Sequence, residues 1–206
     1  MSVSVEAERY LAHARGCRVC AIDLAPDFLR VAESLAARVG LADKVSYREA
    51  SALALPFDDQ SFDGATLMHV GMNIVDKAVL FREVKRVLKP AAVFGVYDVM
   101  RVGPGEIAFP VPWATNASTS FLSTPEEYRR ALEDTGFTIV RERNRRDFGL
   151  DYFRALQRRT AQEGIAPLGL HIPMGETAVR QMVNIFTNIQ RNVVAPLEMI
   201  CRLRSH

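Results

Sequence analysis

This 206-residue chain is short of several things, and each shortage excludes a class of function. No apolar run approaches the ~18 residues that span a bilayer, and the polar start MSVSVEAER lacks the basic-then-apolar layout of a secretion leader, so no membrane association and a cytoplasmic location are expected. Cysteines number three. Cys17 and Cys20 have C-x-x-C spacing, but Cys20 falls in a predicted strand and Cys201 is remote, so the thiols are read as structural and no metal site is expected. Charge of one sign is also missing: 26 Lys and Arg against 24 Asp and Glu leave a net +2, which gives no electrostatic reason to expect nucleic acid. The one dense basic run, Arg141–Arg146, is read as a solvated strand end and turn. The 12 glycines form no G-x-G-x-x-G turn, and neither a Walker loop nor a G-x-S-x-G elbow occurs. There is no internal repeat.

What is present is an ordinary globular composition, 49% hydrophobic and 24% charged, enough for one substantial core with a small accessory lobe. Strand and helix patterns alternate. Glu6–Ala14 reads as a helix and Val19–Asp23 as a short strand; Pro26 opens a helix to about Val39, with Phe28, Leu29, Val31, Ala32 and Leu35 at helical spacing. Lys44–Arg48 and Phe62–His69 read as strands, Lys77–Leu88 as an amphipathic helix stopped by Pro90, and Val93–Val99 as a further strand. This order predicts a mostly parallel sheet with helices on both faces. Beyond it, prolines punctuate 104–125, then a capped helix (Thr124–Asp134), a strand (Phe137–Arg143), two helical segments (Asp151–Glu163 and Gly175–Val193) and a last strand (Leu197–Leu203) follow.

The chemistry-bearing stretch is VCAID. An apolar strand ending in a carboxylate is how many nucleotide-binding α/β sheets hold a ribose, and Asp23 stands in that place. The glycine-rich turn that should precede it is absent, and Met1–Val5 is too short to supply both a strand and its loop.

Three stretches, CAIDLAPDFLRVAESLAARVGLADKV, ASALALPFDDQSFDGATLMHVGMNIVDKAVLFREVKRVLKP and VYDVM, together resemble the class I S-adenosylmethionine-dependent methyltransferases, specifically the small-molecule group similar to sarcosine/dimethylglycine N-methyltransferases. The resemblance rests on the spacing of LPF, SFD and LKP and covers nearly the whole chain. It implies an α/β Rossmann-like fold, a mostly parallel sheet flanked by helices with an antiparallel C-terminal strand pair. Residues 1–206 form one domain in this reading, with 104–125 and 144–193 as accessory, acceptor-side segments. It also implies S-adenosylmethionine as cofactor and a small-molecule acceptor, an amine or related metabolite.

Carried onto this sequence, the resemblance puts Asp23 on the ribose hydroxyls with Ile22 and Leu24 beside the adenine. Ser51 and Ala52 stand where the family often has an acid for the adenine amino group, with a backbone N–H of Ala52 or Leu53 as the substitute reader. Met68 and His69 pass beside the methionine part of the cofactor, and His69 either positions the acceptor, takes its proton, or is a satisfied strand-end histidine. Asn73 orients the acceptor or caps the next helix. Trp113 lines the acceptor pocket or closes the core, and Phe148, Tyr152, Phe153 and Phe186 are read as packing.

Two departures have structural consequences. Ala91 and Ala92 replace two glycines after LKP, where a positive φ costs an alanine about 1 kcal/mol or more, so another turn shape is expected. The absent first strand is the central one of the fold, and Ser2–Val5 or a second subunit, as in a homodimer, is expected to cover the gap. Two competing readings are a non-catalytic dimerising or ligand-binding module on the same fold, and a nicotinamide-dependent oxidoreductase, against which the missing G-x-G-x-x-G counts.

Overall fold

The computed structural model describes residues 7–204 apart from 165, 168 and 170. Its helices are α1 (Ala7–Arg15), α2 (Pro26–Arg38), α3 (Lys77–Val87), α4 (Pro125–Thr135), α5 (Arg146–Glu163), the short α6 (His171–Met174) and α7 (Ala178–Gln190). Its strands are β1 (Val19–Asp23), β2 (Val45–Glu49), β3 (Phe62–Met68), β4 (Leu88–Arg101), β5 (Phe137–Asn144) and β6 (Val194–Leu203).

The strands form two sheets. β1 and β2 pair in parallel, and a four-stranded sheet runs in the order β3-β4-β6-β5, with β3 and β4 parallel and β6 antiparallel to both neighbours. The expected antiparallel C-terminal pair is therefore present as β5 and β6, with α5 to α7 between them in the chain. Among the described residues no strand joins β1 to β3. The expectation that Ser2–Val5 fills this gap lies outside the described residues.

The main core lies between the four-stranded sheet and helices α3 and α4. Leu80, Phe81 and Val84 of α3 and Tyr128 and Leu132 of α4 meet Phe94, Val96 and Met100 of β4, with Phe137, Leu197 and Met199 beyond. Both helices have strong boundaries. Asp76 accepts the Val79 N–H at 2.8 Å to start α3. Thr124 and Glu127 form a reciprocal capping box on α4, which Gly136 ends at φ +106°. A second apolar cluster gathers Met72, Val99, Val111, Trp113, Leu150, Ile185 and Ile189, so the proline-rich 104–125 segment packs on α5 and α7.

Three sequence expectations change. The LKP turn keeps the left-handed geometry: Ala91 sits at φ +62°. Between the pairs Phe62↔Leu88 and Gly64↔Val93, β3 advances 64 − 62 = 2 residues while β4 advances 93 − 88 = 5, so the excess must loop out even without glycine. On α2 only Ala32 and Ala36 are buried, whereas Val31 and Leu35 are 57% and 38% exposed. Finally, of the four aromatics read as packing, Phe153 and Phe186 do pack on the second cluster, but Phe148 and Tyr152 stand largely in solvent.

Candidate active site

β1 delivers Asp23 to the carboxyl end of the small sheet, as the pattern VCAID requires. Its Oδ1 accepts the Ala25 N–H at 2.9 Å, which turns the chain into α2 and fixes the carboxylate at the strand end. Leu24, beside it, is 69% exposed, an apolar side chain with room for a flat ring over it. Ile22 is half-buried in β1. Across the pair, Ala50 N–H donates to Asp23 O at 3.1 Å, which brings Ser51 and Ala52 to the same strand ends. Ser51 Oγ accepts the Leu53 N–H at 3.2 Å, so that amide serves the local turn. Ala52 packs against the main core. The chemistry of this donor set fits the cofactor implied by the sequence: a carboxylate for vicinal hydroxyls next to an uncovered apolar residue.

The larger sheet supplies the second half. At the end of β3, His69 adopts φ +54°, a left-handed backbone that a non-glycine residue holds only when its surroundings impose it. They do: His69 N–H donates to Tyr97 O at 2.9 Å, and the imidazole meets the Tyr97 ring edge-on with centroids 5.0 Å apart. Burial pushes the imidazole pKa below its usual 6.5, so the ring is neutral at pH 7. Met68 precedes it, half-buried.

The chain then makes a 3₁₀ turn, Gly71–Asn73. Asn73 does not cap α3; Asp76 does. Its Nδ2 is buried and donates to no group among the described residues. His69 and Asn73 therefore flank one short turn, one offering a neutral base and the other an amide donor. Trp113 belongs to the same apolar cluster as Met72 of this turn. It is buried in the second cluster, and its indole N–H donates to Ser120 Oγ at 3.0 Å.

Three residues that sequence reasoning passed over stand behind the turn: Asp98 of β4, Lys77 of α3 and Tyr128 of α4. Asp98 is fully buried, and its Oδ2 accepts the Tyr128 hydroxyl at 2.7 Å. VFGVYDVM alternates with apolar residues on both faces, so the pattern alone did not place the acid in the core.

Residues 4–96 match the family model described as a methyltransferase domain. Over that stretch the chain is similar to a methyltransferase domain, and its fold is that of solved methyltransferase structures. It is 26% identical over 169 residues to erythromycin 3''-O-methyltransferase of Saccharopolyspora erythraea, covering 73% of this chain and 54% of that one. It is 35% identical over 118 residues to the chloroplastic tocopherol O-methyltransferase of Arabidopsis thaliana, covering 56% and 34%. A Galdieria sulphuraria protein provisionally assigned as a sarcosine dimethylglycine methyltransferase superposes with a TM-score of 0.79 at 20% identity, over 96% of this chain and 74% of that one. The chain spans about half or less of the length of the curated relatives named here. No helix among the described residues is long and apolar enough to cross a membrane, and no described His, Cys, Asp and Glu side chains group as a metal site.

Proposed function

We propose that this chain is a methyltransferase domain that binds S-adenosylmethionine across the two sheets and transfers its methyl group to a small-molecule acceptor, an amine or related metabolite. Asp23 would hold the ribose hydroxyls, with Ile22, Leu24, Ser51 and Ala52 around the adenine and Met68 along the methionine part. S-adenosylmethionine supplies an electrophilic methyl group on a sulfonium. What the chain's residues must add is position, exclusion of water and removal of a proton. His69 takes that proton as a neutral imidazole, and because burial depresses its pKa it keeps this capacity below pH 6.5. Asn73 orients the acceptor through its side-chain amide, which has no partner among the described residues. Segments 104–125 and 144–193 form the acceptor side, with Trp113 as a wall residue. A cytoplasmic location, supported by three unpaired thiols, and a homodimer belong to the same reading.

The observation that carries this reading is the left-handed, neutral His69 at a strand end, on a turn that also presents an unsatisfied buried amide. Calorimetric titration with S-adenosylhomocysteine tests the cofactor half. The chain binds, and Asp23→Ala weakens binding at least about tenfold, as expected for lost hydrogen bonds to a charged group. Absence of binding at millimolar ligand would assign the fold to a non-catalytic module. The acceptor half is read by S-adenosylhomocysteine formation across a panel of amines and hydroxyl compounds, which His69→Gln should abolish.

A further inference from the structure

The face of β4 that meets α3 and α4 is apolar except at one position. Phe94, Val96 and Met100 are buried there to within 1% of complete, and Asp98 is buried in the same row. A carboxylate in such a row costs solvation that an apolar residue of similar size would not, so its retention calls for a reason in what it holds. Its partners are specific. Tyr128 donates its hydroxyl at 2.7 Å and Val99 its N–H at 3.0 Å, and the backbone amide of Met72, in the middle of the turn between His69 and Asn73, lies near enough to the same carboxylate to lower its pKa.

The turn is held on its other side as well. Lys77 Nζ donates to Ile74 O and, at 2.9 Å, to Phe121 O, and its ammonium lies 5.6 Å from the centre of the Tyr128 ring. Phe121 N–H donates to Met72 O at 2.8 Å. Gly71 leaves no slack: a Cβ there would come within 2.3 Å of both Asp98 Oδ2 and Tyr128 OH.

We propose that Asp98, with Tyr128 and Lys77, is a positioning cluster that fixes the Gly71–Asn73 turn and so sets how His69 and Asn73 meet the acceptor. The proposal rests on the reading of those two residues as acceptor-facing. Asp98 acts on the turn through its close packing on Gly71 and its nearness to the Met72 amide. Burial raises its pKa to about 6, against the bonds from Tyr128 and Val99 and the charge of Lys77, which lower it. The charged groups facing the cluster are thus Lys77 from α3 and, beyond it, Glu127 from α4.

NMR of the full chain labelled in backbone 15N and histidine 13C tests this without any ligand, with His69→Gln assigning the His69 signal among four histidines. The Met72 and Val99 amide protons should shift together with a midpoint of about 6, the titration of Asp98. In Asp98→Asn that shift is lost and the His69 Cε1–H resonance is displaced, while circular dichroism stays native. Tyr128→Phe, a milder change that preserves packing, displaces the His69 signal in the same direction and carries the test if Asp98→Asn does not fold. A His69 resonance unchanged in both variants overturns the proposal. In turnover, Asp98→Asn should lower methyl transfer at least about tenfold while S-adenosylhomocysteine affinity moves less than about threefold. If the unaltered chain binds no S-adenosylhomocysteine, the functional reading fails, yet the His69 displacement still decides whether the cluster sets the turn.

Discussion

Ala91 and His69 share a backbone that alanine and histidine rarely adopt, at φ +62° and +54°, yet the two strains have different meanings. At Ala91 the strain comes from surplus chain in the β3–β4 pairing, and nothing about its methyl group requires it. Ala91→Gly should therefore stabilise the fold by about 1 kcal/mol, the left-handed penalty less glycine's extra freedom when unfolded. Urea unfolding checks this as a higher midpoint at unchanged slope, with S-adenosylhomocysteine binding unaltered; a lower midpoint would mean that the methyl packs usefully. At His69 the strain delivers an imidazole to a strand end. Asp23 and His69 were legible in the sequence because each ends an apolar strand, and a strand end is where α/β sheets place chemistry. Asp98 was not. Alternation along VFGVYDVM shows two faces, but only packing against α3 and α4 reveals that the acid lies on the buried one.

At the level of elements, α7 shows how a segment with little regular structure of its own is held. Asn188 is fully buried; its Oδ1 accepts the Ala108 N–H at 2.9 Å and its Nδ2 donates to Ala108 O at 3.0 Å. One turn earlier, Asn184 Nδ2 donates to Pro110 O at 2.9 Å. The pair at i and i+4 lines a seam that binds the proline-rich segment to the helix. Asn188→Ala leaves both Ala108 backbone groups without their partner, at a cost of about 2 kcal/mol. Chemical denaturation measures it, and faster amide exchange confined to the segment around Ala108 would locate it. Helix α7 itself was legible from its apolar spacing, but asparagines in a helix read as surface, so the seam was not. The start of α3 at Lys77 was read correctly, but its capping residue was left open for a related reason. Asn73 and Asp76 are both good capping residues, and only the backbone shows that the chain makes a separate 3₁₀ turn before Asp76 begins the helix.

Among the described residues the strands lie in two sheets, where the resemblance implies one. β5 closes one edge of the larger sheet with Arg141, Glu142 and Arg143, charges that discourage further pairing. The other edge, β3, reads FDGATLM, with one charge at its start and Gly64 and Thr66 exposed along it. β1 likewise pairs on one side only among the described residues. Sequence order made both halves of the fold readable, since the strand and helix alternation is local; the relation between them depends on pairing partners that no local pattern specifies. Two strands with a single charge each, paired on one side only among the described residues, favour cover by another strand, and a homodimer is the expected state. Light scattering should then give twice the monomer mass, and exchange of the β3 amides that face away from β4 should slow as protein concentration rises. A monomer whose β3 amides are protected at every concentration would instead assign the gap to a segment of the same chain. A monomer with unprotected β3 amides would show that the edge tolerates water and that neither a second subunit nor another part of the chain covers it.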